Sequence, residues 1–246
     1  MTKKYFLGAI LAASLVGSAP AYADIAFTLG NTGGIGETNI LFQAPELGTT
    51  LDHGQVDHTG AGVTFDSLTG QHLNQEAEGQ ADIFCASGCI DNSAVHHDMG
   101  SQLNSIEMKA GLNAQGQPTA WTDAIINLNN GTGPALVTVT DDFNQTFTYT
   151  LGTGQNFLTM IAGLNGSGVQ EFITDIKVQE TAAGITAGTP FGWDDFKQPR
   201  VSGLCTVVNI ATGSCIPIPN VPEPASMALL ASGLFGLGFA YRRRRS

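Results

Sequence analysis

Between residues 24 and 216, apolar and polar residues mostly alternate one by one, as they do along half-buried strands. Thr146–Leu151 reads T-F-T-Y-T-L and puts Phe147, Tyr149 and Leu151 on one face. Leu136–Thr140 follows the same rule, and so do Trp121–Leu128 and Gly62–Phe65. In Phe172–Val178 the alternation sets Phe172, Thr174, Ile176 and Val178 together, with Asp175 and Lys177 opposite. Further strands are expected at Asp24–Leu29, Ile40–Gln43, Ala81–Cys85, Ser105–Ala110, Asn156–Ala162 and Val201–Ile210. Turn signals separate the runs at Asn130-Gly131, Asp141–Asn144, Gly152–Gly154 and Asn165–Gly168. Asp141–Asn144 joins two alternating runs and reads as a hairpin loop. No stretch of this body carries a helical stripe. Roughly ten short strands at this spacing predict an all-β domain, an antiparallel β-sandwich of jelly-roll type. Gln43–Gly60 and Asn92–Gln102 read as longer loops, and so does the Gly-rich Gly30–Gly36, because no helix follows it.

The two ends break the pattern. Lys3 and Lys4, the apolar run Tyr5–Val16 and Ala21-Tyr22-Ala23 form a charged region, a hydrophobic region and an A-x-A site, in that order. A secretory signal peptide over residues 1–23 is expected, cut after Ala23, with Ala21 and Ala23 as the small residues of the site. At the other end, Ala225–Tyr241 has 17 residues and no charge. As a helix it would run roughly 25 Å, near the minimum for a bilayer. Arg242, Arg243, Arg244 and Arg245 follow and would stay on the cytoplasmic side. The expected organisation is signal peptide 1–23, β-sandwich 24–216, Pro-rich linker 217–224, and transmembrane helix with Arg cluster 225–246.

Val221-Pro222-Glu223-Pro224, then a Gly- and Leu-rich apolar segment, then the Arg cluster resembles the PEP-CTERM sorting signal of Gram-negative bacteria. The resemblance covers about 26 of 246 residues. It implies an exosortase, a membrane protease-transpeptidase, that recognises Pro222, Glu223 and Pro224 and processes the chain nearby. It also implies an exported protein, held briefly at the inner membrane and then released to the cell surface or an exopolysaccharide and biofilm matrix. The physical logic is plain. Each proline fixes its own φ and disfavours helix in the residue before it, so Val221 and Glu223 should be extended and open to an enzyme. A tail removed after use parallels the GPI signal.

Charge and cysteine content sharpen the picture. Setting both ends aside leaves Lys109, Lys177, Lys197 and Arg200 against twenty acids, a net charge of −16 for residues 24–221. Such a body will not bind nucleic acid by neutralising phosphates. Acids in excess can instead take Ca²⁺, a cation of oxygen ligands. The four cysteines fall as two close pairs, and an oxidising compartment predicts Cys85–Cys89 and Cys205–Cys215, the simplest of three connectivities. A four-Cys zinc site lacks its usual C-x₂-C spacing.

Candidate chemistry in the body is sparse. The five histidines, His53, His58, His72, His96 and His97, all lie between residues 53 and 97 without a metal-ligand spacing. Phe191-Gly192-Trp193-Asp194-Asp195-Phe196 is the most distinctive stretch. Trp193 would offer a sugar-stacking face, with Asp194 or Asp195 on a structural Ca²⁺; the alternative is a late strand whose aromatics fill the core. Acids such as Glu76, Glu78, Asp82 and Glu107 are plentiful, but sequence does not pair them across a cleft. G-x-S-x-G and phosphate-loop fingerprints do not occur, and no organic cofactor is expected. The expectation is a non-enzymatic surface or matrix protein, with signal peptidase, an exosortase and extracellular polysaccharide as partners. A Ca²⁺-dependent carbohydrate-binding module and a secreted carbohydrate-active enzyme are the alternatives.

Overall fold

The computed structural model describes residues 25–32, 36–42, 47–76, 82–89, 102–131, 134–181, 192–209 and 214–217. The signal peptide, the sorting motif, the apolar tail, His96, His97 and Phe191 lie outside the described residues. What is described is all-β, and every strand pair is antiparallel.

Fifteen strands form one continuous sheet that folds over at β2 (Thr38–Leu41), so that two layers, the first and second sheets, face each other. The first runs in the order β12 (Thr146–Leu151), β11 (Ala135–Asp141), β14 (Ile173–Glu180), β8 (Ser105–Ala110), β5 (Gly62–Asp66), β4 (Leu51–Val56) and β2 (Thr38–Leu41). The second is built around β10 (Asp123–Asn129). On one side β10 pairs β13 (Phe157–Ala162), which pairs β1 (Ile25–Leu29). On the other it pairs β16 (Arg200–Ser202) and then β15 (Asp195–Lys197). Beyond β15 come β7 (Asp82–Ser87), β6 (His72–Glu76) and β3 (Leu47–Thr49). β2 joins the sheets, pairing β4 on one edge and β16 on the other. The rings of Phe65 and Phe196 meet edge-on at 6.1 Å across the interior, and Phe27 stacks on Tyr149 at 5.4 Å. The chain crosses between the sheets after β1, β2, β3, β5, β7, β8, β10, β12, β13 and β14, the wrapping expected of a jelly-roll-like sandwich. A third, small sheet holds β9 (Thr119–Ala120), β17 (Cys205–Asn209) and β18 (Ser214–Pro217).

Alternation explains most of the core. Val63 and Phe65, Ile106 and Met108, and Val137 and Val139 point inward from the first sheet. Ala124, Ile126 and Leu128 answer from β10, with Leu158 and Met160 from β13. Three expectations are corrected. Residues 43–60 are not one loop, since β3 and β4 lie there, and β4 pairs β5 along five residues. Its inward positions are Asp52, Gly54 and Val56, so no apolar period marks it. Gly54 is required: a Cβ there would come within 2.8 Å of Ile40 and 3.2 Å of Phe65.

The second correction concerns Phe172. A bulge opposite Thr140 and Asp141 inserts Thr174 as an extra residue in β14. Thr174 Oγ1 donates to both Thr140 O and Asp141 O. The extra residue reverses parity, so Ile173 joins Ile176 and Val178 in the core. Phe172 instead packs with Ala120 and Cys205 under the small sheet. Third, residues 201–210 do not form one strand. Gly203, with φ +59°, packs against Thr122 where no side chain fits, and splits β16 from β17.

Candidate functional site

Trp193 is completely buried and belongs to the core. Its backbone exchanges two hydrogen bonds of 2.9 Å with Leu103, bridging it to the entry of β8. It presents no face to a ligand in this arrangement. Asp194 is clamped on both oxygens: Gln102 Nε2 donates to Oδ1 at 3.1 Å, and Asn130 Nδ2 donates to Oδ2 at 2.7 Å. Asp195 faces Lys197 Nζ at 3.5 Å and receives Asn129 Nδ2 at 3.4 Å. Burial still pushes its carboxyl above the usual range. This stretch closes the interior beside Phe196.

The three described histidines, His53, His58 and His72, form no metal-binding group. His53 lies on β4 with its side chain outward. His58 sits at φ +61° in the turn after β4, its Nε2 3.3 Å from Asp57. His72 Nδ1 is 2.6 Å from Gly48 O. Among the described residues no three His, Cys, Asp or Glu side chains converge closely enough to hold a metal ion. The cysteines pair as Cys85–Cys89 and Cys205–Cys215, with Cα atoms 5.7 and 5.5 Å apart. The second bond fastens β18 to β17 and so to the rest of the body.

A cleft of about 390 Å³ opens where the small sheet meets the outer face of the first sheet. Its lining includes Lys109 of β8 and Asp175 of β14, Thr119 and Val207 of the small sheet, and Asp142 and Asn144 of the β11–β12 hairpin. The hairpin is built by Asp141, whose Oδ1 accepts the backbone N–H groups of Phe143 and Gln145. Asp142 Oδ1 accepts the Phe172 N–H at 3.0 Å. Thus the turn signal at Asp141–Asn144 also supplies the acids of the cleft, a role the spacing did not reveal.

The electrostatics here are unusual. All four cations of the body are in ion pairs. Lys109 and Lys177 share Glu107, Lys177 also reaches Asp175, Lys197 holds Asp82 and Asp195, and Arg200 meets Glu37. Asp141, Asp142 and Glu171 have none of these partners. Asp142 Oδ2 is buried without a hydrogen-bond donor, while the buried carboxyls of Asp141 and Glu171, and of Asp175 and Glu107, lie close enough to share a proton. Glu171 is 1% exposed; burial and the neighbouring Asp141 charge push its carboxyl up to about 7. Asp175 is pushed up to about 6 by burial and by Glu107. Asp141 and Asp142 are raised by burial as well. Glu107 goes the other way: burial works against it, but Lys177 and Lys109 hold it below its ordinary value.

The end of the described body leads to the comparison with known proteins. β18 stops at Pro217, stapled through Cys215, and residues 220–245 match the family model of the PEP-CTERM protein-sorting motif. The chain carries a PEP-CTERM sorting signal. Its 26 residues include Val221–Pro224 and Arg242–Arg245 and begin three residues after the last described strand. The PEP-CTERM signal marks an exported protein sorted through the membrane by an exosortase. No curated protein and no solved structure matches the chain.

Proposed function

We propose that this is a non-enzymatic surface or matrix protein, delivered by signal peptidase and exosortase and associated with extracellular polysaccharide. The observation that carries the reading is the PEP-CTERM motif directly behind a disulfide-closed β body. The tail acts as a transient anchor. Its apolar segment and arginines hold the chain at the inner membrane until the enzyme reaches Pro222-Glu223-Pro224. The body is suited to life outside the cell: its charge keeps it soluble, and its disulfides tolerate an oxidising environment.

Two measurements test this. Intact mass of the protein from its producing cells should lack Met1–Ala23 and most residues after Pro224, and fractionation should place it outside the inner membrane. Persistence of Arg242–Arg245 in the mature mass would make the tail a permanent anchor. Turnover of glycoside, polysaccharide or peptide substrates by the processed protein would overturn the non-enzymatic reading.

A further inference from the structure

We infer that the side of the sandwich ended by β12 and β1 is a self-association surface, on which β12 pairs antiparallel with β12 of a second copy of this chain about a two-fold axis at Thr148. Three observations carry it. First, the edge is open and unguarded. Among the described residues β12 pairs only β11, and β1 pairs only β13. The hairpin bond from Asp141 N–H to Gln145 O sets the alternation of the β11–β12 ladder. It turns the N–H and C=O groups of Thr146, Thr148 and Thr150 away from β11. Edge strands are usually blunted by Lys, Pro, a bulge or brevity, and the six residues T-F-T-Y-T-L have none of these. β3, at the opposite end of the second sheet, is guarded: it has three residues, Gly48 at φ +69° and a shift in register.

Second, charge is kept away from this side. No charged residue occurs in 25–36, 124–140 or 143–170, although residues 24–221 carry a net −16. These stretches hold all of β1, β12 and β13 and all but one residue each of β10 and β11. Two copies repel over the rest of their surface, and here they can approach. A cationic partner would be drawn to the acidic remainder instead. The rings of Phe27, Phe147 and Tyr149 are only half-buried at this edge, and Leu29 is exposed.

Third, β12 is its own complement. With Thr148 opposite Thr148 of the partner subunit, Thr146 meets the partner's Thr150 and Phe147 meets the partner's Tyr149. Threonines then pair on the outer face and aromatics on the inner one, both favourable cross-strand neighbours. A slip by one residue would turn the outer face of one copy toward the inner side of the other. Phe27 stacks on Tyr149, so β1 ends its layer on the same side and one two-fold axis extends both layers. The inference holds whether or not the body is a matrix component.

The test uses the protein as recovered from its producing cells, with both disulfides formed, and sedimentation equilibrium at low and high salt. A dimer is expected, tighter at high salt because the acidic bodies are screened. Thr148→Lys, at an exposed side chain, should weaken it roughly tenfold or more by setting like charges face to face. Leu68→Lys, an equal charge change at an exposed position on the loop after β5, should leave it unchanged. Thr148→Cys should cross-link two copies on mild oxidation, since a hydrogen-bonded antiparallel pair holds its Cα atoms about 5.5 Å apart, and Thr146→Cys should not. Exchange of the Thr146, Thr148 and Thr150 N–H groups should slow as protein concentration rises. A monomer at both salts would overturn the inference and leave the edge to a strand of another protein. Undiminished dimer in Thr148→Lys, or equal cross-linking through Thr146→Cys, would overturn it as well. Protection of these N–H groups independent of concentration would assign the edge to a segment of the same chain and equally refute the proposal.

Discussion

Asp194–Asp195 and Asp141–Asp142 are the two places where this chain sets aspartates side by side, and both are followed by phenylalanine. The next residue is Lys197 in one and Asn144 in the other. The consequences differ throughout. In the first pair the amides of Gln102 and Asn130 take both oxygens of Asp194, and the amide of Asn129 and the ammonium of Lys197 take one oxygen of Asp195, so that Asp195 Oδ1 alone lacks a donor, and Phe196 is fully buried behind them. In the second, backbone N–H groups take one oxygen of each aspartate, while Asp142 Oδ2 is left without a donor and Asp141 lies close enough to Glu171 to share a proton. Aspartates whose partners are supplied by the fold brace the fold. Aspartates whose partners are missing leave a demand that a proton must meet. The aromatic-flanked pair looked the more functional in sequence, and the structure makes it the more structural.

The contrast can be broken or sharpened by substitution. The largest effect is expected at Trp193. Trp193→Ala should lose about 3–5 kcal/mol of stability by opening a cavity in the core. Chemical denaturation measures it. Replacing Cys205 and Cys215 together by Ser should cost about 2–4 kcal/mol and loosen the wall formed by β17. Chemical denaturation measures the loss, and early hydrogen exchange at the Val207 N–H, which bonds Pro118 O, would show the small sheet opening before the rest of the body.

The third effect is a pH dependence. Glu171 has its folded-state value raised from 4.5 to about 7. Its contribution is therefore fully present below about pH 4.5 and is lost as pH rises through 7, because only the folded state holds the proton in that window. Glu171→Gln should flatten the fall in melting temperature between pH 5 and 8 and raise stability at pH 8. An unchanged slope would mean that Glu171 is solvated in solution. Smallest is the direct comparison of the aspartates. Asp194→Asn should cost about 1–3 kcal/mol, since it sets an amide donor against Gln102 or Asn130. Asp142→Asn should be neutral or slightly stabilising, since it removes a buried charge and keeps the bond to Phe172. Equal losses at both sites would erase the distinction between them.

Much of the fold was legible because alternation is a local signal. β8 and β12 fall at their expected residues, and the hairpin at Asp141–Asn144 and the Asn165–Gly168 turn form where Asn and Gly announced them. β4 was not legible, because two of its three inward positions hold an acid, Asp52, and a glycine, Gly54, which leaves room for Ile40, Phe42 and Phe65. The inversion at Phe172 was hidden too. A bulge is fixed by strand pairing, and one inserted residue leaves the apolar pattern of the segment unchanged. The cleft shared that obscurity. Lys109, Thr119, Asp142, Asp175 and Val207 lie on five different elements and meet only because the small sheet folds across β8 and β14.

The sequence by itself determined the address and the building material of this protein. The sorting motif is read as a contiguous string, strands follow from period-two patterning, and the close cysteine pairs formed the disulfides their spacing suggested. Tertiary structure alone decided which acids are satisfied. A carboxylate's state depends on the donors, charges and water within a few ångströms of it, and those come from residues far away in the chain. For that reason two identical Asp-Asp-Phe strings ended as a structural clamp and as the rim of a cleft.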